Sequence, residues 1–193
     1  MSEQHPNFHR LMTAVEVAAA VAEIAKQPDL WKIMQIRQQY EGSAHIDTET
    51  IVMRGPDSIE GIFDNLECVN FKVSDILPAT VQLIRGIVGF LKAREIGRIM
   101  LVRLNAGGSI KPHVDEGAYA RYFARFHLVL DSNPHCRFRC GEETVNMGVG
   151  ELWWFNHQVT HSVLNQGPAR THLIMDLAAP GFTGALGAIR VPN

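Results

Sequence analysis

The chain has 193 residues, of which 46% are hydrophobic and 20% are charged, a composition typical of folded globular domains and not of disordered segments. Its 18 basic and 20 acidic residues give a formal net charge of −2, which provides no electrostatic basis for binding nucleic acid or a membrane surface. Three cysteines do not suggest a disulfide framework, so we expect a cytoplasmic protein, and the length suits a single domain over residues 1–193.

The first predicted element is a helix over residues 11–27, a stretch rich in Ala, Val and Glu that lacks Gly and Pro. Glu16 and Glu23 interrupt its apolar residues, and the stretch is too short and too charged to span a bilayer. We therefore expect an amphipathic helix and no association with a membrane.

Two strands and a second helix are predicted in the remainder of the first half of the chain. Residues 30–37 and 49–54 have the mixed apolar and polar texture of strands. Residues 77–94 predict a helix, because their apolar side chains recur at helical spacing and Pro78 suits a first turn. We expect residues 1–95 to form a support of helices and strands for the remainder of the chain.

The texture changes after residue 96, where short β-type runs follow one another. Gly, Asn, Asp and Pro separate these runs, and no helix is predicted between them. About six or more strands at this spacing are typical of a barrel or a sandwich. The sequence therefore predicts a mainly β fold with flanking helices, with its core over residues 96–180.

The stretch "KPHVDEG" places His113 and Asp115 two residues apart, so a strand would direct both side chains to one face. His161 lies in the later β-type run "QVTHSVLN" and is a candidate third ligand. Two histidines and one carboxylate form the facial triad that holds Fe(II) in non-haem oxygenases. The pattern His-x-Asp is common by itself, however, and the chain has a second copy at His45 and Asp47.

Arg170 follows His161 by nine residues in the run "NQGPARTHLIMDL". If the chain turns at "NQGPA", the strand of Arg170 pairs back near His161, where a guanidinium can hold a carboxylate with two hydrogen bonds. An isolated arginine on a strand is more commonly a solvated surface residue. The surrounding Leu, Ile and Met residues favour a side chain that points outward or serves a site.

Residues 98–177 resemble the aspartyl/asparaginyl β-hydroxylase family, a branch of the Fe(II)- and 2-oxoglutarate-dependent oxygenases that includes bacterial proline hydroxylases. The resemblance rests on "RIMLVRLNAGGSIKPHVDEG", then "RFHLVL", then "CRFRCGEETVNMGVGELWWFNHQVTHSVLNQGPARTHLIMDL", in this order. It implies a double-stranded β-helix, a jelly-roll-like pair of sheets. Animal members of the family lack the carboxylate ligand, so Asp115 makes the chain more similar to small bacterial members such as proline cis-4-hydroxylase.

The resemblance also implies roles for particular residues. Arg170 would hold the distal carboxylate of 2-oxoglutarate. His127 would contact the other end of the cosubstrate, and Arg125 would contact either the cosubstrate or a carboxylate of the substrate. The implied iron ligands, which are also the implied catalytic residues, are His113, Asp115 and His161.

The resemblance has one weak point, since a polar cosubstrate contact that is frequent in the family falls near Val102 here. Arg103 or Ser109 would have to replace that contact. A further alternative is that the loop around His45 covers the iron site and that Arg54 contacts substrate. Taken together, the candidate substrate contacts are Arg125, Arg103, Arg54 and Trp153.

Two zinc sites are possible alternatives in the sequence. His157 and His161 have the spacing of a helical zinc pair, but the aromatic and β-branched residues around them do not favour a helix. His135, Cys136 and Cys140 lie within six residues of one another and lack a distant ligand pair. Cysteines of the core or of a sheet edge are the better interpretation.

The resemblance implies a dioxygenase that uses Fe(II), 2-oxoglutarate and O₂ to hydroxylate a C–H bond, with succinate and CO₂ as co-products. We expect a carboxylate-bearing small-molecule substrate, first a free amino acid or an amino-acid-derived metabolite. An Asp or Asn side chain of a peptide or protein is the second candidate. A non-enzymatic, cupin-like metabolite-binding module and a structural protein with a decayed site are the alternatives outside the enzymes.

Overall fold

Two antiparallel β-sheets share a core in the computed structural model, which describes residues 7–39, 41–58, 60 and 62–182. The strands are β1 (Phe8–Met12), β2 (Thr48–Gly55), β3 (Val69–Asn70), β4 (Glu95–Leu104), β5 (Ser109–His113), β6 (Ala124–Asp131), β7 (Cys136–Cys140), β8 (Glu143–Val145), β9 (Leu152–Phe155), β10 (His161–Asn165) and β11 (Arg170–Ala178). The α-helices are α1 (Ala18–Ala25), α2 (Ile36–Gln39), α3 (Val73–Ile76), α4 (Pro78–Phe90) and α5 (Gly117–Tyr122). A 3-10 helix covers Pro28–Lys32.

The large sheet has the strand order β1-β9-β6-β11-β4-β2-β3, and the small sheet has the order β5-β10-β7-β8. Strand β7 shows how the chain builds the core between them. Cys136, Phe138 and Cys140 are buried there, whereas Arg137 and Arg139 are exposed, because successive side chains of a strand point to opposite faces. Phe138 and its neighbours meet apolar residues of the large sheet, such as Phe155, in one hydrophobic cluster.

A second apolar layer lies on the outer face of the large sheet. Helices α1 and α4 pack there through Ile24, Ile84 and Ile87. Strand β9 therefore has apolar residues on both faces: Trp153 belongs to the core between the sheets, and Trp154 belongs to the core under the helices. In the described part of the chain, no helix is both long enough and apolar enough to cross a membrane.

The prediction of a mainly β core with flanking helices is confirmed. The strand predicted over residues 49–54 is β2, and the helix predicted over residues 77–94 is α4, which begins at Pro78. Strands β1 and β2 both belong to the large sheet, so the described part of the first half of the chain contributes strands to the core as well as supporting it.

Three element predictions were wrong. Of the helix predicted over residues 11–27, only α1 (Ala18–Ala25) forms, because strand β1 before it pairs with β9 at the edge of the large sheet. Residues 30–37 form helical turns instead of a strand, since Leu30 and Trp31 are buried next to each other while Ile33 is 73% exposed, a pattern that no half-buried strand produces. Helix α5 interrupts the strand-rich region, where no helix was predicted.

Candidate active site

His113, Asp115 and His161 come together, with one ligand atom of each residue lying within 4.8 Å of the other two. His113 is the last residue of β5, and His161 is the first residue of β10 and its partner in the sheet register. Asp115 follows in the loop after β5. Strand pairing in the small sheet is therefore what brings together ligands that are distant in the sequence.

Both imidazoles are oriented by the backbone. His113 Nδ1 lies 2.8 Å from the Lys111 carbonyl oxygen, and His161 Nδ1 lies 2.9 Å from the Val159 carbonyl oxygen. Because a carbonyl oxygen only accepts, each Nδ1 carries the proton and each Nε2 presents a lone pair. Burial lowers the pKa of His161 to about 4, so this imidazole is neutral at neutral pH and ready to bind a cation.

Asp115 is held by two side chains that meet the same carboxylate oxygen. Arg125 Nη1 donates to Asp115 Oδ2, and His157 Nδ1 lies 3.2 Å from that oxygen. The Asp115 backbone N–H also donates to the His157 carbonyl oxygen, at 3.0 Å. Burial by itself would raise the pKa of the Asp115 carboxyl, but the Arg125 guanidinium outweighs it and holds the pKa well below its usual range. The carboxylate is ionised, and Oδ1 remains for a metal.

Arg125 is engaged on its other side by Asp176 of β11. Its Nε and Nη2 donate to the two carboxylate oxygens of Asp176, at 2.7 Å and 2.9 Å. The Tyr119 hydroxyl donates to Asp176 at 3.2 Å and accepts from the Arg98 backbone N–H at 2.6 Å. We predicted that Arg125 contacts the cosubstrate or the substrate. The structure instead pairs all three of its nitrogens with carboxylates of the protein.

Arg170 is 1% exposed and lies in the core between the sheets. It lines a small cavity with residues of β7 and β10, among them Cys136, Phe138 and Val163. Within the described residues, its Nε and Nη1 have no hydrogen-bond partner. A buried guanidinium keeps its charge, and leaving such a charge without a counterion is costly, so an anion bound in this cavity would be stabilised.

Histidines and aromatic rings occupy the space between Arg170 and the metal ligands. His127 and His172 place their Nδ1 atoms 3.2 Å apart, and His127 Nε2 is buried without a partner among the described residues. The Phe155 ring lies 5.1 Å from the His127 ring and 5.0 Å from the His161 ring, centroid to centroid. The surface from the cationic end to the triad is thus mostly apolar, with His127 as a polar group along it.

Some of the predicted contacts lie outside this site. Arg103 is on the opposite face of β4, where it pairs with Glu49 at 2.6 Å and stacks over Trp31 at 4.3 Å. Arg54 donates to the Ile96 carbonyl oxygen and to Asn70 Oδ1, both at 2.9 Å, across the edge formed by β2 and β3. Neither guanidinium is brought to the triad.

The other predicted contacts also have structural partners. The Trp153 indole N–H donates to Glu151 at 2.9 Å, and the ring packs in the core between the sheets. The Ser109 backbone N–H donates to Asp47 Oδ2 at 2.9 Å. Val102 forms an apolar patch with two inward-facing residues of β4 and β11, Met100 and Ile174. Arg103 and Ser109 therefore do not provide the polar contact that is absent at Val102, because both are paired with carboxylates of the protein.

The loop before β2 does reach the site, as one of the predicted alternatives has it. The His45 ring lies 4.9 Å from the His113 ring. The second His-x-Asp copy is thus divided, because His45 is next to the triad while Asp47 binds the start of β5. The cysteines proposed as an alternative zinc site are buried, and the Cys140 thiol donates to the Asn156 carbonyl oxygen at 3.2 Å.

Sequence reasoning missed several residues that the structure brings to the triad. Asp176 and His172 carry the same signal as Arg170, since they follow it at even spacing on one strand face. The sequence indicates His157 only as one half of an alternative zinc pair, whereas the structure places its Nδ1 3.2 Å from Asp115 Oδ2. Arg37, which contacts His45, had no signal, because it lies in the stretch 30–37 that was predicted to be a strand.

Two histidines and one carboxylate at the mouth of a jelly-roll-like pair of sheets define the class of the non-haem Fe(II) oxygenases. The aspartyl/asparaginyl β-hydroxylase family matches residues 12–180, and the chain belongs to this family. The resemblance seen in residues 98–177 is thereby confirmed and extends over most of the chain.

Among curated proteins, the chain is 34% identical over 84 residues to L-proline cis-4-hydroxylase of Rhizobium meliloti (strain 1021). The match spans 42% of this chain and 30% of that protein.

Among solved structures, the chain is similar to an oxidoreductase of the 2OG-Fe(II) oxygenase family from Burkholderia pseudomallei, with a TM-score of 0.57 and 15% identity. That match covers 96% of this chain and 89% of the other. A prolyl hydroxylase from Trichoplax adhaerens, in complex with a hypoxia inducible factor peptide fragment, matches with a TM-score of 0.54 and 11% identity, over 90% of this chain and 84% of the other. At these identities the solved structures support the fold.

Proposed function

We propose that this protein is an Fe(II)- and 2-oxoglutarate-dependent dioxygenase that hydroxylates a C–H bond of a small, carboxylate-bearing substrate. The observation that carries the proposal is Arg170, a buried guanidinium with two unpartnered nitrogens among the described residues, which lines a small cavity in the core between the sheets. A metal-binding triad alone would suit many metalloproteins. A buried cationic anchor inside the same barrel supports a dicarboxylate cosubstrate.

In this proposal His113 and His161 hold Fe(II) through Nε2, and Asp115 holds it through its carboxylate. When bound, the iron supplies the activation of O₂ and the oxidation chemistry, with 2-oxoglutarate as co-reductant. Arg170 binds the distal carboxylate, and His127 donates or accepts a hydrogen bond at the other end through Nε2. The apolar walls exclude water, which strengthens each of these polar contacts.

Arg125 is a positioning residue here, because its donors hold Asp115 and Asp176. A metal-binding carboxylate that is fixed by a buried guanidinium keeps one oxygen directed at the metal, and such outer partners commonly contribute tenfold or more to metal affinity. This role replaces the contact with cosubstrate or substrate that the sequence suggested.

A free amino acid or an amino-acid-derived metabolite is the first substrate candidate, supported by the similarity to a proline hydroxylase. A peptide or protein side chain is the second. That candidate is favoured by exposed apolar residues near the triad, since Ile46 next to His45 is 54% exposed and Val114 between two ligands is 36% exposed. A cytoplasmic location is part of the same proposal and agrees with the free state of all three cysteines.

Calorimetric titration of the metal-loaded protein with 2-oxoglutarate tests the proposal, together with an assay for succinate. Arg170→Leu is expected to weaken 2-oxoglutarate binding about a hundredfold, whereas Arg170→Lys keeps part of it. Arg139→Gln is the matched control, because that arginine is 56% exposed on the outer face of β7. A wild-type protein that binds iron but neither binds nor consumes 2-oxoglutarate refutes the function and favours a non-enzymatic module.

A further inference from the structure

A pair of buried histidines lies on the inner face of the large sheet, between Arg170 and the metal ligands. His127 of β6 is 4% exposed, and His172 of β11 is 2% exposed. Their Nδ1 atoms lie 3.2 Å apart, and their rings meet edge to face with centroids 5.3 Å apart. His127 is already part of the proposed site, whereas His172 has no role in it so far.

The contact between the two rings is the polar interaction on which both depend. In the strand register His172 stands opposite Val102 of β4 and Val129 of β6, and both of these side chains are apolar. The contact with His127 is the one side-chain hydrogen bond of His172 within the described residues, and the same holds for His127. The His127 ring is otherwise packed against aromatic side chains. Each imidazole therefore depends on the other for the state of its Nδ1.

The contact holds one proton. Burial lowers the pKa of both histidines well below the usual range, so both rings are neutral at neutral pH. A neutral imidazole has a proton on one of its nitrogens, and the hydrogen bond at one nitrogen fixes the state of the other. If His172 donates, the proton of His127 is on Nε2. If His127 donates, its Nε2 carries only a lone pair.

The cavity next to the pair favours one of these directions. His172 lines this cavity together with Arg170, whose guanidinium attracts an anion. His127 Nε2 is buried and has no partner within the part of the chain that the structure describes. Carboxylate oxygens only accept, so an anion that reaches His127 is stabilised by an N–H group there and not by a lone pair. A proton on His127 Nε2 leaves its Nδ1 as the acceptor, and His172 is then the donor.

We propose that His172 is a positioning residue that fixes the tautomer of His127. His172 Nδ1 donates to His127 Nδ1, so that His127 Nε2 presents an N–H group to a carboxylate oxygen of the cosubstrate. Backbone carbonyls set the tautomers of His113 and His161, and a second imidazole takes that part for His127. The inference rests on the proposed function and deepens it, because it states which of its two hydrogen-bonding roles His127 has.

Nitrogen-15 NMR of the metal-free protein, prepared with labelled histidine, distinguishes the tautomers, because protonated and bare ring nitrogens resonate far apart. The wild type is expected to show His127 protonated on Nε2 and His172 protonated on Nδ1. His172→Phe keeps a planar ring and removes the donor, so His127 is expected to populate both tautomers. His172→Asn offers an amide donor near the position of Nδ1 and is expected to restore most of the wild-type state of His127.

Calorimetric titration of the Mn(II)-loaded protein with 2-oxoglutarate measures the consequence for binding. His172→Phe is expected to weaken 2-oxoglutarate binding about tenfold, as for the loss of one hydrogen bond to a charged group. His172→Asn is expected to recover most of this loss. His135→Phe is the matched control and should bind as the wild type does, because that histidine is exposed in the loop between β6 and β7.

A second background separates positioning from direct contact and from packing. His127→Phe is expected to weaken 2-oxoglutarate binding, and the addition of His172→Phe should weaken it no further, since His172 acts through His127. A further tenfold loss in the double variant would overturn the proposal. So would a wild-type His127 with its proton on Nδ1, or a His127 tautomer that is unchanged in His172→Phe.

The proposed function fails by a different result. A wild-type protein that binds Mn(II) but does not bind 2-oxoglutarate refutes that function. The NMR spectra of the metal-free protein decide independently whether His172 donates to His127. If His172→Phe does not fold, the wild-type spectrum and His172→Asn decide the direction of the hydrogen bond.

Discussion

Asp176→Asn probes the buried pair that stands behind the metal-binding carboxylate. The Asp176 side chain is 1% exposed, and both of its oxygens accept from Arg125. Asparagine keeps the shape and one oxygen, but it turns an NH₂ group toward the guanidinium and removes the charge. Arg125 then retains Asp115 as its one carboxylate partner among the described residues.

The expected loss of stability is about 3 kcal/mol. Breaking a buried ion pair by removing one partner costs about 3–5 kcal/mol, and the remaining contact with Asp115 places this case at the lower end. For a chain of this size that corresponds to a fall of about 6–12 °C in Tm. Metal affinity should fall about tenfold, because Arg125 is no longer fixed by Asp176 and therefore positions the Asp115 carboxylate less firmly for the metal.

Urea unfolding of the metal-free protein measures the first effect, and calorimetric titration with Mn(II) measures the second. Asp29→Asn is the matched control, since that side chain is 88% exposed and pairs only with Lys32 among the ion pairs of the described residues. A variant that loses stability but binds metal as tightly as the wild type would show that Asp176 supports the fold without positioning Asp115. Unchanged stability would refute the reasoning about the buried pair.

Three further results are expected. His161→Ala should abolish stoichiometric Fe(II) binding with an unchanged circular dichroism spectrum, and retained iron would identify a different third ligand. The free energy of unfolding of the metal-free protein should fall by on the order of 3 kcal/mol between pH 6.5 and pH 4. The reason is that His161 binds a proton in this range when the chain is unfolded, whereas the folded side chain, with a pKa of about 4, does not. Urea titrations in which the stability stays constant or rises toward pH 4 would contradict this. Gly97→Ala should destabilise the protein by about 1–3 kcal/mol, since the added Cβ would clash with the Tyr119 hydroxyl oxygen. Gly86→Ala on α4 is the control, because a Cβ there meets open space. Equal urea midpoints for Gly97→Ala and the wild type would refute the clash.

The strand-rich part of the chain was predictable because its signals are local. The alternating burial in β7 follows from the two-residue period of a strand, and the turn residues between the later runs can be read directly from the sequence. The first strand was not predictable, because Phe8–Met12 is a strand only through its pairing with β9, more than a hundred residues later. Intrinsic preference is weak compared with such pairing.

The candidate site likewise contains residues that the sequence could identify and one whose role depends on long-range pairing. His113 and Asp115 share a local motif, and His161 and Arg170 were reached through order and resemblance, so all four were named from the sequence. The role of Arg125 was not, because its partner Asp176 is opposite it only in the register of β6 and β11. A basic side chain on a pocket-facing strand looks the same in sequence whether it meets a ligand or a carboxylate of the protein.

The sequence by itself predicted the class of fold from residue type and strand period, and together with the family resemblance it named the triad residues and Arg170. Only the tertiary structure decided which polar groups of the site are already paired and which are left open. Arg125 is paired with two carboxylates of the protein, whereas Arg170 has two nitrogens without a partner among the described residues. The physical reason is that hydrogen-bond pairing depends on distances between side chains far apart in the chain, and these distances exist only once the sheets have closed.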